Sequence, residues 1–277
     1  MSIVKEVRET MLDVRSSSLY AKFIHQLKEN PSTSMLGSHE CMDLVIYGLG
    51  SFEFDMRSQY QLAFALLLKE DKVFPVGNIE IYDPALSPAD VKACFDLGVR
   101  VLLVNEQCQR SVEKPTLFYV PGLKFIGNLV ESNFSPKQLN KVILVSYGLK
   151  SSVESAYGAF ENWNRGCTSR GSLAFERDRF LWATVDYIHE AIAMGKSNEE
   201  LDGVGELKVE FVEVNDDMDI YSKLPSISSA SDRLLMLGFF LVFFFNGESD
   251  STGLTLKEKF YLNFMLEVEY NSFLSFE

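Results

Sequence analysis

A short glycine turn is the part of this sequence whose residue types best suit ligand binding. Gly48-Leu49-Gly50 follows the apolar stretch Asp43–Tyr47 and precedes a long apolar segment. Gly48 would permit a tight turn, and Gly50 would let a ligand approach the backbone near a helix N-terminus, where free N–H groups attract anions. A dinucleotide fingerprint, however, needs a third small residue where this chain has Glu53, and a carboxylate there would repel a pyrophosphate. Two interpretations stay open: a structural strand-to-helix turn, or a ligand held by other contacts.

Polar residues beside this turn supply further candidate contacts. Ser51 directly follows the glycines, and Arg57 has the chemistry to bind a phosphate or carboxylate, or to pair with Glu53. Asp83 ends the second predicted strand, where an acid can accept hydrogen bonds from ribose hydroxyls. It lies farther from the glycines than the usual spacing of about 20 residues, and Asp before Pro is also a common turn starter. Each candidate therefore has a structural alternative.

Further candidate residues lie at the ends of the third and fourth predicted strands. Asn105 and Glu106 follow the third strand, and Tyr119 and Pro121 end the fourth. Because the carboxyl ends of parallel strands meet at one edge, these residues would converge where open α/β folds bind ligands. The spacing singles out no Ser-His-Asp, Cys-His or two-carboxylate arrangement. The residues thus favour a protein without catalytic activity, leave any cofactor unknown and predict no metal site.

Alternating strand and helix patterns must position these residues. The predicted strands are short, unbroken apolar runs, as a parallel sheet covered on both faces requires. They span Asp43–Tyr47, Ile79–Tyr82, Arg100–Asn105, Thr116–Val120 and Lys141–Val145. The predicted helices span Val14–Glu29, Arg57–Glu70 and Lys124–Ser132. The pattern predicts an α/β fold, a Rossmann-like three-layer domain with a mainly parallel sheet.

Two Ser-Pro dipeptides predict further helix starts. Ser87-Pro88-Ala89-Asp90 places a capping serine, a first-turn proline and an acid at the third position, and Ser135-Pro136 repeats the device. The helix after Ser87 is predicted to bury Val91, Cys94, Phe95 and Leu97 and to end at Gly98.

After Ser146 the pattern weakens. Residues 147–170 are predicted to be irregular, Glu176–Met194 to be a helix and Lys208–Val214 to be a strand. The longest apolar run, Leu234–Phe245, is shorter than the about 20 residues of a membrane span, so no span is predicted. The formal net charge of −13 disfavours direct nucleic-acid binding, which needs clustered Lys and Arg.

Six sequence blocks between Leu44 and Tyr147 resemble the sensitivity-to-red-light-reduced family of plants, which has relatives in fungi and animals. The blocks are V-I-Y-G-L-G-S from Val45, R-S-Q-Y-Q-L-A-F-A-L-L-L from Arg57, Y-D-P from Tyr82, V-N-E from Val104, T-L-F-Y-V-P from Thr116 and S-P-x-x-L-x-x-V-I-L-V from Ser135. No single block is specific, but their order and spacing together are.

The resemblance implies a regulator of circadian-clock input and phytochrome-dependent light signalling. Such a protein is expected in the nucleus and cytoplasm and is expected to act through protein partners. The resemblance supplies no catalytic residues, so Gly48, Gly50, Ser51, Arg57, Asp83 and Glu106 are motif positions only. The competing hypothesis is an enzyme or sensor that binds a nucleotide or S-adenosylmethionine at the Gly48–Ser51 turn and Asp83.

The predicted organisation has three parts. Residues 1–41 form an N-terminal helix and loop, residues 42–214 the α/β domain, and residues 215–277 a tail. The tail lacks the aromatic-rich ending expected of the family. Our hypothesis is that it is an alternative splice product or a gene-model artefact, which sequencing of the transcript across the codons after Val214 would test.

Overall fold

Seven strands, in the part of the chain that the structure describes, form one mixed sheet. They are β1 (Met42–Tyr47), β2 (Val76–Tyr82), β3 (Arg100–Val101), β4 (Thr116–Tyr119), β5 (Val142–Ser146), β6 (Ile188–Ala193) and β7 (Lys208–Val212). The computed structural model describes residues 2–29, 41–121, 125–150, 153, 179–193 and 207–224. All of these residues belong to one unit that spans Met1–Pro225.

The strand order places a topological switch point beside β1. The order across the sheet is β3-β2-β1-β4-β5-β7-β6. Strands β1 to β5 pair in parallel, and β7 pairs antiparallel with both β5 and β6. From β1 the chain builds outward to β2 and β3 on one side and later to β4 and β5 on the other, as in doubly wound nucleotide-binding folds. The predicted α/β class with a mainly parallel sheet is confirmed.

Helices cover both faces of the sheet and make it the middle of three layers. They are α1 (Ile3–Ser16), α2 (Ser18–Glu29), α3 (Met56–Glu70), α4 (Pro88–Asp96), α5 (Ile126–Ser132) and α6 (Pro136–Leu139). Leu44 and Ile46 of β1 belong to a core with α1 to α4, whereas Val45 and Tyr47 belong to a core with α5 and α6. Successive strand residues point to opposite faces, so an unbroken apolar strand is buried on both sides.

The most local predictions are the most accurate ones. Helix α3 begins at Met56, one residue before its predicted start, and Leu62 to Leu68 are at most 7% exposed. Helix α4 begins after Ser87 with a complete capping box that involves Asp90, and Gly98 follows it with a φ of 73°. A capping box is formed by residues three positions apart, so the sequence alone specifies it.

The predicted start of the N-terminal helix was wrong. The predicted Val14–Glu29 helix is two helices, α1 and α2, that meet at Ser17. The Ser17 hydroxyl donates to the Val14 carbonyl oxygen and accepts the N–H of Tyr20, so it closes α1 and caps α2. The buried residues Val7, Met11 and Val14 follow helical spacing in α1, but the charges between them obscured the pattern.

The third strand is shorter than predicted. The prediction was Arg100–Asn105, but only Arg100 and Val101 pair with β2, and Leu103 and Val104 are 95% and 71% exposed. The strand stops because its neighbour stops: Leu102 donates to the carbonyl of Ile81, and β2 ends one residue later.

The predicted buried face of α4 is correct at Cys94 and wrong at Val91 and Phe95. Ala93 and Cys94 are buried, but Val91 and Phe95 are 42% and 83% exposed.

The second Ser-Pro dipeptide begins a helix but does not cap it as predicted. Ser135 precedes α6, but its hydroxyl donates to the side-chain oxygen of Gln138 and caps no backbone N–H.

The predicted helix Glu176–Met194 is helical only in part. Residues 179–184 are helical, Val185–Tyr187 form a 3-10 turn, and the chain then enters β6 beside β7. The prediction failed because pairing with a distant strand outweighs a local helical pattern. Most of residues 147–170 and the whole of Leu234–Phe245 lie outside the described residues.

Candidate functional site

The glycine turn lies at the switch point and is shaped by packing. Gly48 and Gly50 have φ values of 73° and 86°, which disfavour other residues. A Cβ atom at Gly50 would lie 2.8 Å from the Ser58 Oγ, whereas one at Gly48 would meet no atom within 4 Å. The Ser58 hydroxyl is fixed by its donation to the carbonyl of Leu49 at 2.6 Å. Gly50 is therefore required for close contact with α3, whether or not a ligand binds.

Asp83 lies against this turn. Its Oδ2 accepts the Gly50 N–H at 2.7 Å, and its Oδ1 accepts the Ala85 N–H at 2.7 Å. The structure therefore brings together two predicted site residues, Gly50 and Asp83. Because Asp83 also accepts the Ala85 N–H, it starts a turn as well, which was the alternative interpretation of this residue. The consequence for binding is electrostatic: the N–H that would attract a phosphate already has a carboxylate as its partner.

Asp90 joins the loop after β1 to the start of α4. This fully buried carboxylate accepts the Ser51 hydroxyl at 2.6 Å, the Glu53 N–H at 2.9 Å and the Ser87 N–H at 2.9 Å. The Ser87 hydroxyl in turn donates to the Glu53 carboxylate. The sequence predicted Asp90 as a capping residue, but its two contacts with the loop, 37 and 39 residues away, were missed.

The predicted site residue Arg57 lies at the start of α3. It is exposed in the first turn of α3, and its N–H donates to Asp55, the N-cap of that helix, at 3.0 Å. Glu53, its predicted partner, is the acceptor for Ser87.

Glu106 anchors the loop after β3 to β1 and β2. It accepts hydrogen bonds from the Tyr47 hydroxyl and from the Arg110 Nε and Nη2, the last two at 2.9 and 2.7 Å. Arg110 also pairs with Glu80, a 3% exposed carboxylate of β2 that Arg100 contacts as well. Burial by itself would raise the pKa of Glu106, but the hydrogen bonds from Arg110 and Tyr47 outweigh burial and lower that pKa.

Asn105 shapes the loop that presents Glu106. The Asn105 side-chain oxygen accepts the Gln107 N–H at 2.9 Å, and Asn128 donates to the Gln107 carbonyl at 2.9 Å. Gln107 and Cys108 both have positive φ, 47° and 61°, which is unfavourable for residues with a Cβ. Burial raises the pKa of Cys108 to about 12, so this thiol is neutral and a poor nucleophile.

Glu210 is a further acidic residue of this edge, which sequence reasoning missed. It is fully buried in β7, and its carboxylate accepts the N–H groups of Leu149 and Lys150 at 2.6 and 3.1 Å and the Ser146 hydroxyl at 3.3 Å. A lone Glu within an apolar strand was the available signal. Its partners could not be read from the sequence because they lie about 60 residues away.

Three carboxylates at this edge of the sheet have the same role. Asp83, Asp90 and Glu210 accept the backbone N–H groups that follow β1 and β5, where a nucleotide-binding fold would hold an anion. Within the described ranges, no group of three His, Cys, Asp or Glu side chains is placed to hold a metal ion. The arrangement can stabilise loops, and it offers little positive potential to a phosphate.

Fold and edge together define a Rossmann-like α/β domain whose ligand edge is filled by its own carboxylates. The SRR1 domain family matches residues 22–231, which is most of the chain, and the chain belongs to this family. It is 37% identical to the protein SENSITIVITY TO RED LIGHT REDUCED 1 of Arabidopsis thaliana over 137 residues, 47% of this chain and 50% of that protein. It is 36% identical to an SRR1-like protein of Mus musculus over 129 residues, 46% of this chain and 51% of that protein.

The matched segment spans about half the length of these curated relatives. Among solved structures, a putative S-adenosyl-L-methionine-dependent methyltransferase of Methanococcus maripaludis matches with a TM-score of 0.33 and 12% identity, over 76% of this chain and 94% of that one. A likeness this distant carries no conclusion about function. None of the helices described here is long and apolar enough to cross a membrane.

Proposed function

We propose that this chain is a regulator of light signalling that acts through protein partners and has no catalytic activity. Membership in the SRR1 domain family supports the regulatory part, since the Arabidopsis relative is named for its effect on red-light sensitivity. Input to the circadian clock and a role in phytochrome signalling are parts of the same proposal.

The occupied ligand edge is the observation that carries the proposal. Asp83 accepts the Gly50 N–H, and Glu210 accepts those of Leu149 and Lys150. An anionic cofactor would have to displace these carboxylates or lie beside them, and both cost electrostatic free energy. Burial also raises the pKa values of Cys94 and Cys108 to about 12, which makes both thiols unsuited to nucleophilic catalysis.

A nucleotide- or S-adenosylmethionine-binding enzyme or sensor is the second candidate function. It is favoured by the strand order, which puts the Gly48–Gly50 turn at the switch point where such folds bind ligands. In this case Asp83 would rotate away from Gly50 and bind a ribose. Gly48, Gly50, Ser51, Arg57, Asp83, Asn105 and Glu106 stay predicted ligand contacts for this alternative only.

Genetic complementation tests the proposed function. The full chain would be expressed in an Arabidopsis line that lacks its SRR1 domain protein, and the response to red light and the circadian period would be measured. We expect the chain to restore both, and equal restoration by Gly50→Val, which should block a ligand at the turn, would favour the partner mechanism. Failure of the wild-type chain, expressed at the level of the native protein, would contradict the regulatory role.

Localisation is a separate part of the proposal. We expect a fluorescent fusion of the full chain to appear in both the nucleus and the cytoplasm. Exclusion from the nucleus would contradict this expectation.

A further inference from the structure

Tyr119 is a buried tyrosine whose hydroxyl group makes no hydrogen bond within the described part of the chain. It is the last residue of β4, where it pairs with Ile46 of β1 on one side and with Val145 of β5 on the other. Burial raises the pKa of Tyr119 well above its ordinary value, so the hydroxyl keeps its proton and can donate. A buried donor without an acceptor is an exception among folded proteins and needs a physical explanation.

Polar side chains of α3 and of the turn after β5 lie beside this hydroxyl. Gln61 of α3 is buried, and its Nε2 donates to the Tyr147 hydroxyl at 2.7 Å. Tyr147 directly follows β5 and lies close enough to Tyr119 to raise the pKa of Tyr119 further. The ring centroids of Tyr119 and Phe64, another residue of α3, are 6.3 Å apart. These contacts join the ends of β4 and β5 to α3.

A further contact joins α3 to the glycine turn. Ser58 lies three residues before Gln61, on the same side of the helix, and its buried hydroxyl donates to the Leu49 carbonyl at 2.6 Å. We call Ser58, Gln61, Tyr119 and Tyr147 the Tyr119 cluster. The cluster thus lies at the carboxyl ends of β1, β4 and β5, beside the switch point of the strand order.

The polarity of the cluster is not explained by packing alone. Ser58 and Gln61 are buried in a helix whose residues from Leu62 to Leu68 are all apolar. Polar groups lose their hydrogen bonds with water on burial, so packing favours apolar residues at such positions. Ser58 has a structural role because it holds the Leu49 carbonyl. The hydroxyl of Tyr119 holds no group of the described chain, and a phenylalanine would fill the same space.

The cluster reaches the protein surface at two of its edges. Tyr147 is half-buried, and Gly48 in the neighbouring turn is exposed. A Cβ atom at Gly48 would meet no atom within 4 Å, so there is open space beside the backbone of this turn. Entry of a small molecule beside Tyr147 would leave the strand pairs of the sheet intact.

The charges around the cluster disfavour an ionic ligand. Its four side chains are uncharged, and a carboxylate flanks it on each side, since Asp83 accepts the Gly50 N–H and Glu210 accepts the Leu149 N–H. A buried anion beside these carboxylates would cost electrostatic free energy. A cationic ammonium group has no lone pair to accept the proton of the Tyr119 hydroxyl. The chemistry therefore favours an uncharged acceptor, such as the oxygen of an amide or a ketone.

We propose that the Tyr119 cluster binds a small uncharged molecule whose carbonyl oxygen accepts a hydrogen bond from the Tyr119 hydroxyl. Ile46, Phe64 and Val145 belong to the same core, so the molecule carries an apolar group beside its carbonyl. The site goes beyond the proposed function, because it gives the regulator a small-molecule input and uses none of the N–H groups that would hold an anionic cofactor. Water is the competing acceptor, since a buried water also needs several polar partners.

Fluorine NMR of the full chain labelled with 3-fluorotyrosine tests the site. The chain has eleven tyrosines, and the resonance of Tyr119 is the one that is missing from Tyr119→Phe. The probes are benzamide, the smaller N-methylacetamide, and benzoate as the charged match of benzamide. We expect a saturable shift of the Tyr119 resonance with benzamide or N-methylacetamide and none with benzoate. Tyr119→Phe should bind the amide about tenfold more weakly, as expected for the loss of one neutral hydrogen bond.

Urea denaturation without any probe separates a ligand from water. Tyr20→Phe is the matched control, because Tyr20 is a buried tyrosine of the same core whose hydroxyl donates to Asp71 at 2.8 Å. Its urea midpoint should be lower than that of the wild type. The midpoint of Tyr119→Phe should be no lower than that of the wild type, because this change removes a buried donor without a partner. Cooperative unfolding with an unchanged slope shows that both variants are folded.

Several results would overturn the site. They are an unchanged Tyr119 resonance with both amides, an equal response to benzoate, and equal amide binding by Tyr119→Phe. A urea midpoint that falls as far in Tyr119→Phe as in Tyr20→Phe would show that water already holds the hydroxyl, and this would overturn the site as well. None of these results affects the proposed regulatory function, which complementation tests separately.

Discussion

Removal of the Asp90 carboxylate is the perturbation that most directly probes how this edge is built. Asp90 is fully buried and accepts three donors: the Ser51 hydroxyl and the N–H groups of Glu53 and Ser87. In Asp90→Ala all three donors lose their acceptor at once, and α4 loses half of its capping box.

The magnitude follows from the number and burial of these donors. A buried donor without a partner costs about 1–3 kcal/mol, and loss of a cap costs about 1 kcal/mol. Ser51 and Ser87 are half-buried and Glu53 is exposed, so water can recover part of the loss. We therefore expect Asp90→Ala to lower the free energy of unfolding by about 2–4 kcal/mol.

Urea denaturation of the full chain measures this change as a lower midpoint with an unchanged slope. Asp96→Ala is the matched control, because Asp96 is an exposed acid at the other end of the same helix and its loss should change stability by less than about 0.5 kcal/mol. A loss in Asp90→Ala below about 1 kcal/mol, no different from Asp96→Ala, would refute the reasoning that Asp90 joins the loop to the helix.

Three further perturbations probe the same edge. Glu106→Gln should be less stable than wild type at neutral pH, and the difference should vanish on acidification. The reason is that the pKa of Glu106 in the folded chain lies below its ordinary value of 4.5. The stability that the Glu106 carboxylate contributes is therefore complete above pH 4.5 and is lost as the pH falls through the folded pKa. A difference in unfolding free energy that is constant from neutral to acid pH would speak against the Tyr47–Glu106–Arg110 contacts. Gly50→Ala should destabilise the chain more than Gly48→Ala by about 1–3 kcal/mol, since both residues have positive φ but only Gly50 would bring a Cβ to 2.8 Å from Ser58. Equal unfolding free energies for the two variants would rule out that packing argument. Iodoacetamide at pH 8 should label Cys41, which is exposed, and leave Cys94 and Cys108 unlabelled until the chain is denatured, since burial raises the pKa values of both to about 12. Peptide mass mapping reads the labels, and native labelling of Cys108 would contradict its burial.

The sequence was sufficient where short-range interactions decide the structure. β1 reads as an unbroken apolar run because it is buried on both faces, and Ser87 and Asp90 form a capping box within four consecutive residues. The meeting of Gly50 and Asp83 was also predictable, because the ends of adjacent parallel strands must lie side by side.

Long-range interactions decided what the sequence could not predict. β3 ends early because β2 ends, and residues 188–193 become a strand because β7 offers them a partner. The roles of Asp90 and Glu210 depend on donors that are distant in the chain and adjacent only in the fold. The exposure of Phe95 likewise depends on which helix face meets the sheet, and the pattern of α4 did not reveal this.

A thermal-unfolding screen with candidate ligands tests most directly the claim that the chain's own carboxylates close the ligand edge. The full chain would be heated with NAD(P), ATP, S-adenosylmethionine and haem, each in large excess. A ligand at a hundred times its Kd adds about 2.7 kcal/mol, which corresponds to a rise in Tm of roughly 5–10 °C for a chain of this size. The account predicts no such rise with any of them. A rise of that size that disappears in Gly50→Val, while that variant still unfolds cooperatively, would contradict it and would establish the glycine turn as a ligand site.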